Sequence, residues 1–398
     1  MKTEQHVAIV GGGPGGLTLA RLLGLHGVDV VVFERESHPL ERPQGGTLDL
    51  HEDSGVLALE RAGLQQAFRS IARYEDQGTR LLDKAGRVLF EQADAAAGDR
   101  PEVDRTALRE ILLASLPAGV VRWGSAVNGV SPADEDRWFV VTGGGVEGPF
   151  DLVIGADGAW SRVRPLLSPY RPQYSGLVFI ESGIDDIDEQ HPALSRLVGR
   201  GKMSVEAGGK CIIAQRNGNA HVRVYAIFRV PVDWAGKRFD FASPAAVREE
   251  LIREFEGFDE GILDLFRAGN DCFAVRPIHA LPVGHCWQHR PGLTLIGDAA
   301  HVMSPFGGDG VNNAMFDAAE LARLLVGNDD WSAAVTEYET QMFTRVIESA
   351  EGAAEGAATL LSHDGEALTL ELYRSHQTEA TSTWRSGIAA YFPKNGRR

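Results

Sequence analysis

The hydrophobic pattern of the first 35 residues predicts a strand, a helix and a second strand. A β-branched apolar run, Val7–Val10, leads into a glycine cluster, and a stretch with helical periodicity follows the cluster. A second apolar run, Val28–Phe33, stops at Glu34. Two such runs separated by one helical stretch are typical of a β-α-β unit in a parallel sheet.

The same alternation continues through the first half of the chain and returns near its end. Residues 1–170 and 277–325 predict one discontinuous α/β domain, doubly wound and Rossmann-like. Within the first half, Leu81–Phe90 predicts a β-hairpin. Near the end, the buried run Leu293–Ile296 predicts the strand that brings the chain back to this domain.

The middle and the end of the chain follow other patterns. In residues 171–276, β-branched and alternating runs lie between polar turns, which predicts an inserted antiparallel-sheet domain with one helix near Pro244–Phe255. Residues 326–398 predict a helical C-terminal segment, since the sequence from Trp331 to about Leu361 is rich in alanine and glutamate. The chain as a whole is therefore α+β in composition, built on an α/β core.

The glycine cluster fits the pattern G-x-G-x-x-G at Gly11, Gly13 and Gly16. The first glycine permits a tight turn, the second lets the backbone approach a pyrophosphate, and the third lets helix and strand pack closely. The N-terminus of the helix then faces the phosphates with unpaired N–H groups. Glu34, at the end of the next strand, would accept hydrogen bonds from ribose hydroxyls. This segment predicts a dinucleotide site.

A second match to the same pattern has a different setting. Gly143, Gly145 and Gly148 lie between two strand-like runs, Trp138–Thr142 and Phe150–Ile154, with no helix after them. A glycine-rich hairpin is the better interpretation there. The sequence thus carries one nucleotide-binding glycine turn of this kind.

Composition excludes several other classes of function. The 398 residues carry a net charge of −16, which argues against nucleic acid or an anionic membrane as the main partner. No apolar run approaches the length of a membrane span, and the first strand follows Met1 too closely for a secretory signal. The three cysteines form no C-x-x-C pair, so we expect reduced thiols, a cytoplasmic protein and no metal. The reactive chemistry would then come from a bound cofactor.

Two further motifs indicate which dinucleotide is bound. One is GADGAWSRVR at Gly155–Arg164, and the other is GDAAHVMSPFGGDGVNNAMFDA at Gly297–Ala318. In the second motif, Asp298 follows a buried strand and can accept a hydrogen bond from a ligand hydroxyl such as a ribityl chain. A tight loop and the start of a helix follow, with free N–H groups that could face an electron-rich ring; the residues concerned are Pro305, Gly307, Gly308, Gly310, Val311 and Asn312.

Together the three motifs resemble those of the group A flavoprotein monooxygenases, the para-hydroxybenzoate hydroxylase-like family. The resemblance covers roughly the whole chain. The stretches Gly45–Leu64 and Val103–Leu116, together with GDAAH…PF..GVN, look like the tetracycline-inactivating monooxygenases of the Tet(X) type.

The resemblance implies a complete set of cofactors. FAD would be the bound cofactor, NADPH or NADH the transient reductant and O2 the co-substrate of an enzyme that hydroxylates a phenolic or enolic carbon. FAD contacts would be made by the glycine turn, by the loop and helix start at 305–312, and by Glu34, Arg35, Asp49, Arg105, Gly158, Arg164 and Asp298. Arg42 would contact NAD(P)H. The flavin carries the chemistry, so no catalytic dyad is expected, and His301 is interpreted as a packed histidine.

The substrate is less closely defined by the resemblance. Family enzymes that inactivate tetracycline contact it with Gln, Arg and His side chains of the inserted sheet, and this chain has Glu181, Lys202 and Arg223 at those places. A tetracycline, with antibiotic resistance as the consequence, and another aromatic polyketide or phenol both stay open. Further pocket-lining hypotheses are Gln215, Phe228, Met303 and Phe306.

The sequence disfavours several rival classes of protein. None of the 7 tryptophans lies in the Trp-x-Trp-x-Ile motif of flavin halogenases. A Baeyer–Villiger enzyme needs a second nucleotide turn, and the second and third motifs disfavour a nicotinamide dehydrogenase. A non-catalytic FAD-binding protein stays open. We expect a monomer whose partners are a small aromatic or polyketide substrate and O2.

Overall fold

The computed structural model describes residues 5–41, 45–75, 77–93, 100–134, 136–359, 361–362, 365–371 and 374. Its strands are β1 (His6–Val10), β2 (Asp29–Phe33), β3 (Thr47–Asp49), β4 (Gly78–Leu82), β5 (Val88–Gln92), β6 (Glu102–Asp104), β7 (Val121–Arg122), β8 (Val127–Pro132), β9 (Trp138–Thr142), β10 (Gly145–Phe150), β11 (Leu152–Gly155), β12 (Gln173–Ile184), β13 (Gly201–Ala207), β14 (Lys210–Arg216), β15 (Val222–Arg229), β16 (Ala274–Ala280) and β17 (Leu293–Leu295). Its helices are α1 (Pro14–Leu25), α2 (Gly55–Arg61), α3 (Gln65–Arg69), α4 (Arg105–Ala114), α5 (Ile187–Gln190), α6 (Pro192–Val198), α7 (Trp234–Arg238), α8 (Pro244–Glu254), α9 (Glu260–Arg267), α10 (Asp298–His301), α11 (Asp309–Gly327) and α12 (Trp331–Thr359).

A parallel five-stranded sheet forms the first layer, in the order β17-β11-β1-β2-β7. Its central strands are apolar because both faces are covered, and Ala8 and Ile9 of β1 are fully buried. Helices α1 and α11 pack on each other over this sheet. The predicted α/β, Rossmann-like fold is confirmed.

The second layer is a seven-stranded sheet, in the order β16-β12-β15-β14-β13-β4-β5. Neighbouring strands are antiparallel except for β13 and β4, which are parallel. The predicted hairpin at Leu81–Phe90 is present as β4 and β5, and it extends this second sheet. The predicted inserted domain, 171–276, therefore leaves out two strands of its sheet, and its end cuts through β16.

Five helices, α5 to α9, accompany this sheet, so the prediction of one helix was wrong. The reason is their length. Helices of 4, 7, 5 and 8 residues (α5, α6, α7 and α9) are too short to show the periodicity that identifies a helix from sequence.

The two faces of the seven-stranded sheet have different roles, as the period-two pattern of a strand requires. On one face, Val178, Ile180 and Phe228 belong to the apolar core shared with α5–α9. The predicted pocket role of Phe228 is therefore wrong, since its ring is 2% exposed and lies 4.8 Å from that of Trp234. The neighbouring residue Ile227 has the opposite orientation, in a smaller cluster with Phe179.

The glycine-rich segment after Thr142 forms the predicted hairpin. Strands β9 and β10 are antiparallel and join β8 in a three-stranded sheet. No helix follows the glycines, because β10 leads directly into β11. The second match to the glycine pattern is thus a turn between strands.

The predicted long C-terminal helix is confirmed as α12, with 29 residues. Its end packs beside the smaller cluster on the seven-stranded sheet, and a Cβ on Gly356 would lie 3.0 Å from Cβ of Phe306. Beyond the helix, the buried carboxylate of Glu206 accepts hydrogen bonds from the N–H of Leu361 and the hydroxyl of Thr369. In the described ranges no helix is both long and apolar enough to cross a membrane.

Two glycines of α1 give a matched test of this packing. A Cβ on Gly16 would lie 2.1 Å from the carbonyl oxygen of Gly11, whereas Gly24 is exposed and its Cβ would have no neighbour within 4 Å. We expect Gly16→Ala to lower the free energy of unfolding by about 3 kcal/mol or more. Gly24→Ala should raise it by roughly 0.5–1 kcal/mol, because alanine restricts the unfolded chain. Urea unfolding measures both, and equal effects would contradict the packing described.

Candidate active site

A large cleft lies between the two layers. Its walls are the glycine turn, β3, the loop after β11, the segment 296–316 and one face of the seven-stranded sheet. The cavity volume is about 3610 Å³, several times the roughly 300–1,000 Å³ of a small-molecule site. The cleft therefore has room for a dinucleotide and a substrate together.

The glycine turn forms one end of the cleft. Gly11 has φ +112°, and a Cβ there would lie 2.4 Å from the carbonyl oxygen of Ala156, so the position requires glycine. A Cβ on Gly13 would meet nothing within 4 Å. Helix α1 begins at Pro14 without a side-chain cap on its N-terminus. This combination of open backbone approach and uncapped N–H groups favours a phosphate.

Glu34 closes the same end of the cleft from the tip of β2. Its side chain is buried, its Oε2 accepts a hydrogen bond from the N–H of Gly12 at 2.7 Å, and its Oε1 accepts one from the N–H of Glu36 at 3.0 Å. Each carboxylate oxygen keeps a second lone pair for a ligand hydroxyl. The neighbouring Arg35 is exposed and lines the cleft. Arg42 lies outside the described residues.

Asp298 follows the carboxyl end of the edge strand β17, where the chain passes into α10. Its carboxylate is exposed to the cleft, and Gly297 before it has φ +58°. The protein that surrounds this side chain displaces water and so raises its pKa above the ordinary value, while the charges of His301, Arg105 and Arg164 act in the opposite direction. Asp298 is placed to accept a hydrogen bond from a ligand in the cleft.

Helix α11 begins beside Asp49. A Cβ on Gly308, which has φ +76°, would lie 3.2 Å from Oδ1 of Asp49. The side chain of Asn312 donates a hydrogen bond to the carbonyl of Asp49 and accepts one from the N–H of His51, both at 2.9 Å. Asn312 thus fixes β3 against α11. The predicted loop residues Pro305, Gly308, Gly310 and Val311 all line the cleft here.

Arg164 has a supporting position behind the cleft. It is 3% exposed, and it donates hydrogen bonds to the carbonyls of Ala299 and Ala159. It therefore connects the loop after β11 to helix α10. Gly158 and Arg105, which the sequence also predicted, do line the cleft.

A buried ionic cluster, which the sequence did not predict, holds the loop after β17. Asp317 of α11 accepts hydrogen bonds from the N–H of Gly297 and from Nε2 of His301, both at 2.7 Å, and pairs with Arg345 of α12. Burial favours the neutral form of Asp317, but the charges of His301 and Arg345 outweigh it and lower its pKa. His301 is thus buried against Asp317, away from the cleft.

Comparison with known proteins identifies the family. Residues 4–180 and 286–328 match a family model described as FAD binding domain. The chain is 33% identical to the Monooxygenase penA of Penicillium thymicola over 370 residues, which cover 81% of this chain and 85% of that protein. The chain belongs to this FAD-binding family. It is a flavin-dependent monooxygenase, as the three motifs predicted.

Two further relatives extend the comparison. The 6-methylpretetramide 4-monooxygenase of Streptomyces rimosus is 29% identical over 334 residues, covering 78% of this chain and 73% of that protein. The crystal structure of tetracycline destructase Tet(51) superposes with a TM-score of 0.70 at 20% identity, covering 97% of this chain and 99% of that chain. The second likeness shows a shared fold.

FAD is the cofactor, NAD(P)H is the co-substrate typical of this family, and the cleft fits an FAD molecule. The open approach at Gly13 and the uncapped start of α1 suit a pyrophosphate. The spare lone pairs of Glu34 suit ribose hydroxyls, and the exposed carboxylate of Asp298 suits a ribityl chain. A bound flavin, reduced by NAD(P)H, would activate O2 and pass one of its oxygen atoms to the substrate.

The sheet side of the cleft brings together most of the predicted substrate residues. Lys202, Gln215 and Arg223 form one cross-strand row over β13, β14 and β15. Glu181 on β12 lies near this row, with Nη1 of Arg223 3.5 Å from its carboxylate. Lys202, Gln215, Glu181 and Phe306 line the cleft directly; Arg223 lies just behind, with its Cδ 3.3 Å from where a Cβ on Gly46 would be.

Three further residues that line the cleft were not predicted from the sequence. Tyr225 and Arg276 share the cleft face with Glu181, and the period-two pattern from Glu181 and Arg223 could have found them. Glu102, in the three-residue strand β6, gives no such signal. It lines the cleft, yet it is buried. Burial and the nearby charge of Asp49 raise the pKa of Glu102 to about 7.

The raised pKa of Glu102 predicts a pH-dependent change in stability. The folded-state pKa of about 7 lies above the ordinary value of 4.5, so the wild-type protein loses stability as the pH rises through this window. Glu102→Gln cannot ionise, and its stability relative to the wild type should increase from pH 5 to pH 8, by up to about 3 kcal/mol. Glu110→Gln, on the exposed side of α4, is the control and should show no such trend. Urea unfolding of the FAD-loaded proteins at pH 5 and pH 8 measures this change. If the difference in free energy of unfolding between Glu102→Gln and the wild type is the same at both pH values, the raised pKa of Glu102 is contradicted.

Proposed function

We propose that this monooxygenase hydroxylates a planar phenolic or enolic polycycle of the polyketide type. The observation that carries the proposal is the composition of the sheet wall opposite the glycine turn. Aromatic side chains and a row of hydrogen-bonding side chains lie side by side on that wall. A flat ring system with oxygen substituents along one edge complements both.

Aromatic side chains make the apolar part of the wall. The ring of Phe179 lies 5.8 Å from that of Phe306 and 6.0 Å from that of Tyr225, with the rings edge to face in both pairs. Ile213 and Ile278 extend this surface. Such a surface accepts a flat ring by dispersion and by exclusion of water.

Charged and polar side chains make the other part. Lys202 and the amide of Gln215 face the cleft, and the carboxylate of Glu181 is bound on both sides by the guanidinium groups of Arg223 and Arg276. The phenol of Tyr225 stays protonated, because burial raises its pKa to about 12. These groups supply donors for the carbonyl, enol or phenol oxygens of a substrate.

The chain's residues contribute positioning and exclusion of water. The polar row orients the oxygenated edge of the substrate, and the aromatic residues hold its rings. Phe306 lines the cleft and packs against the end of α12. A bound ring system on this surface would displace water from the reacting carbon and so protect the activated oxygen from side reactions.

A tetracycline is the first member of this class to consider. The motif resemblance to tetracycline-inactivating enzymes supports it, as does the relative named 6-methylpretetramide 4-monooxygenase. Glu181, Lys202 and Arg223 stand where those enzymes have Gln, Arg and His, so the charge along the wall differs. Another aromatic polyketide is the alternative substrate.

Mass spectrometry tests the proposal. The FAD-loaded enzyme is incubated with NADPH and air, together with tetracycline in one reaction and naphthoresorcinol, a two-ring phenol, in another. We expect a gain of one oxygen atom in at least one of the two compounds. Rapid NADPH oxidation with peroxide release, and both masses unchanged, would overturn the proposed substrate class.

The three differing residues predict a change of specificity. A triple variant, Glu181→Gln, Lys202→Arg and Arg223→His, carries the side chains that tetracycline-inactivating enzymes have at these places. We expect kcat/KM for tetracycline, relative to naphthoresorcinol, to rise at least about tenfold, since each restored hydrogen bond to a charged or polar group is worth about 1 kcal/mol or more.

A matched control makes the same chemical exchanges at exposed positions: Glu189→Gln, Lys84→Arg and Arg171→His. Its specificity should equal that of the wild type. An unchanged preference in the variant with the wall substitutions would show that these residues do not select the substrate.

A further inference from the structure

Glu102 is a buried carboxylate that lines the cleft. It lies on β6, which pairs with β3 in a two-stranded sheet, and its carboxylate approaches Gln215 of the polar row on the seven-stranded sheet. Its side chain is 9% exposed, and it lines the cleft together with Lys202 and Gln215. A buried carboxylate at the edge of a substrate wall requires an explanation, because burial disfavours its charge.

One oxygen of this carboxylate is fixed and the other is available. Oε2 accepts a hydrogen bond from the Thr47 hydroxyl at 2.7 Å, and Nη2 of Arg73 donates to that hydroxyl at 2.9 Å. The side chain is therefore held in one orientation. Oε1 has a longer contact, 3.5 Å from Nε2 of Gln215, beyond the usual 2.7–3.2 Å range. Gln215 belongs to the polar row, so Oε1 faces the side of the cleft proposed for the substrate.

The charges around Glu102 set its proton affinity. Asp49 lies directly opposite on β3 and disfavours a second negative charge, whereas Arg73 and Lys202 favour it. Burial outweighs the two cations, and the pKa rises to about 7. Near neutral pH the carboxylate is thus a stronger base than an ordinary glutamate, and both of its protonation states are populated.

Four other carboxylates that line the cleft have different surroundings. Glu181 faces a guanidinium group on each side, and Glu206 binds Leu361 and Thr369. Asp49 accepts a hydrogen bond from His51, and Asp298 is the first residue of α10, on the side of the cleft proposed for the cofactor. Glu102 combines a fixed orientation with an available oxygen beside the polar row.

We propose that Glu102 is the catalytic base that takes the proton from the substrate hydroxyl, and this inference rests on the proposed function. The substrate O–H bond breaks, the proton moves to Oε1 of Glu102, and the electron pair stays on the substrate oxygen. The resulting phenolate or enolate has a more nucleophilic ring carbon to receive the oxygen atom. Glu102 afterwards releases the proton to solvent.

A binding experiment without turnover gives the first test. The enzyme, loaded with oxidised FAD, is titrated with naphthoresorcinol and, separately, with its dimethyl ether, which has no O–H to donate. We expect the wild-type affinity for the phenol to increase about tenfold between pH 6 and pH 8, because the ionised carboxylate is the better acceptor. The affinity for the ether should stay constant. In Glu102→Gln both affinities should be independent of pH.

Steady-state kinetics gives the second test. We expect kcat in Glu102→Gln to fall at least about a hundredfold, because a general base is lost. A plot of kcat against pH should show an inflection near pH 7 in the wild type and none in Glu102→Gln. Glu102→Asp should recover part of the rate. Glu206→Gln removes another buried carboxylate of the same cleft and should keep the inflection.

The outcomes separate the two proposals. If the wild type hydroxylates the phenol and Glu102→Gln does so with the same rate and pH profile, the role of Glu102 is refuted while the proposed function stands. If the wild type neither binds nor hydroxylates tetracycline or naphthoresorcinol, both proposals are overturned. FAD content, read from the visible spectrum, should be equal in all variants; loss of FAD from Glu102→Gln and Glu102→Asp alike would assign Glu102 to cofactor binding instead.

Discussion

The site depends on backbone segments that touch without side chains between them. A Cβ on Gly16 would overlap the carbonyl of Gly11, one on Gly11 would overlap that of Ala156, and one on Gly15 would lie 2.9 Å from the carbonyl of Ala314. These contacts bring β1, α1, the loop after β11 and helix α11 to backbone distance of one another. The phosphate-binding turn and the start of α11 are thus parts of one rigid arrangement, and the cleft takes its shape from it.

Features that depend on local spacing were predictable from the sequence. The turn at Gly11–Gly16 needs a strand before it and a helix after it, and both signals lie within thirty residues. The same reasoning separated the hairpin after Thr142 from a nucleotide turn. The long helix α12 followed from composition and periodicity, and Asp298 followed from its place after a buried strand.

Features that depend on pairing between distant segments were not predictable. Strand β4 pairs with β13, more than a hundred residues later, and nothing in either sequence names its partner. The face of the sheet to which Phe228 belongs was not predictable for a related reason. Alternation divides β15 into two faces, but the identity of the buried face depends on helices elsewhere in the chain. The role of Glu102 was not predictable, because a strand of three residues is too short to show an alternating hydrophobic pattern. Its raised pKa also depends on burial and on the charges of Asp49, Arg73 and Lys202, which are distant from it in sequence or on another strand.

The hairpin formed by β4 and β5 has a consequence for the architecture as a whole. The chain enters the seven-stranded sheet at residues 78–92, returns to the parallel sheet, and enters the larger sheet again at β12. The substrate wall is consequently assembled from two separate insertions, and it cannot be excised as one continuous stretch. Recombination between relatives would have to exchange both insertions together to transfer the whole wall.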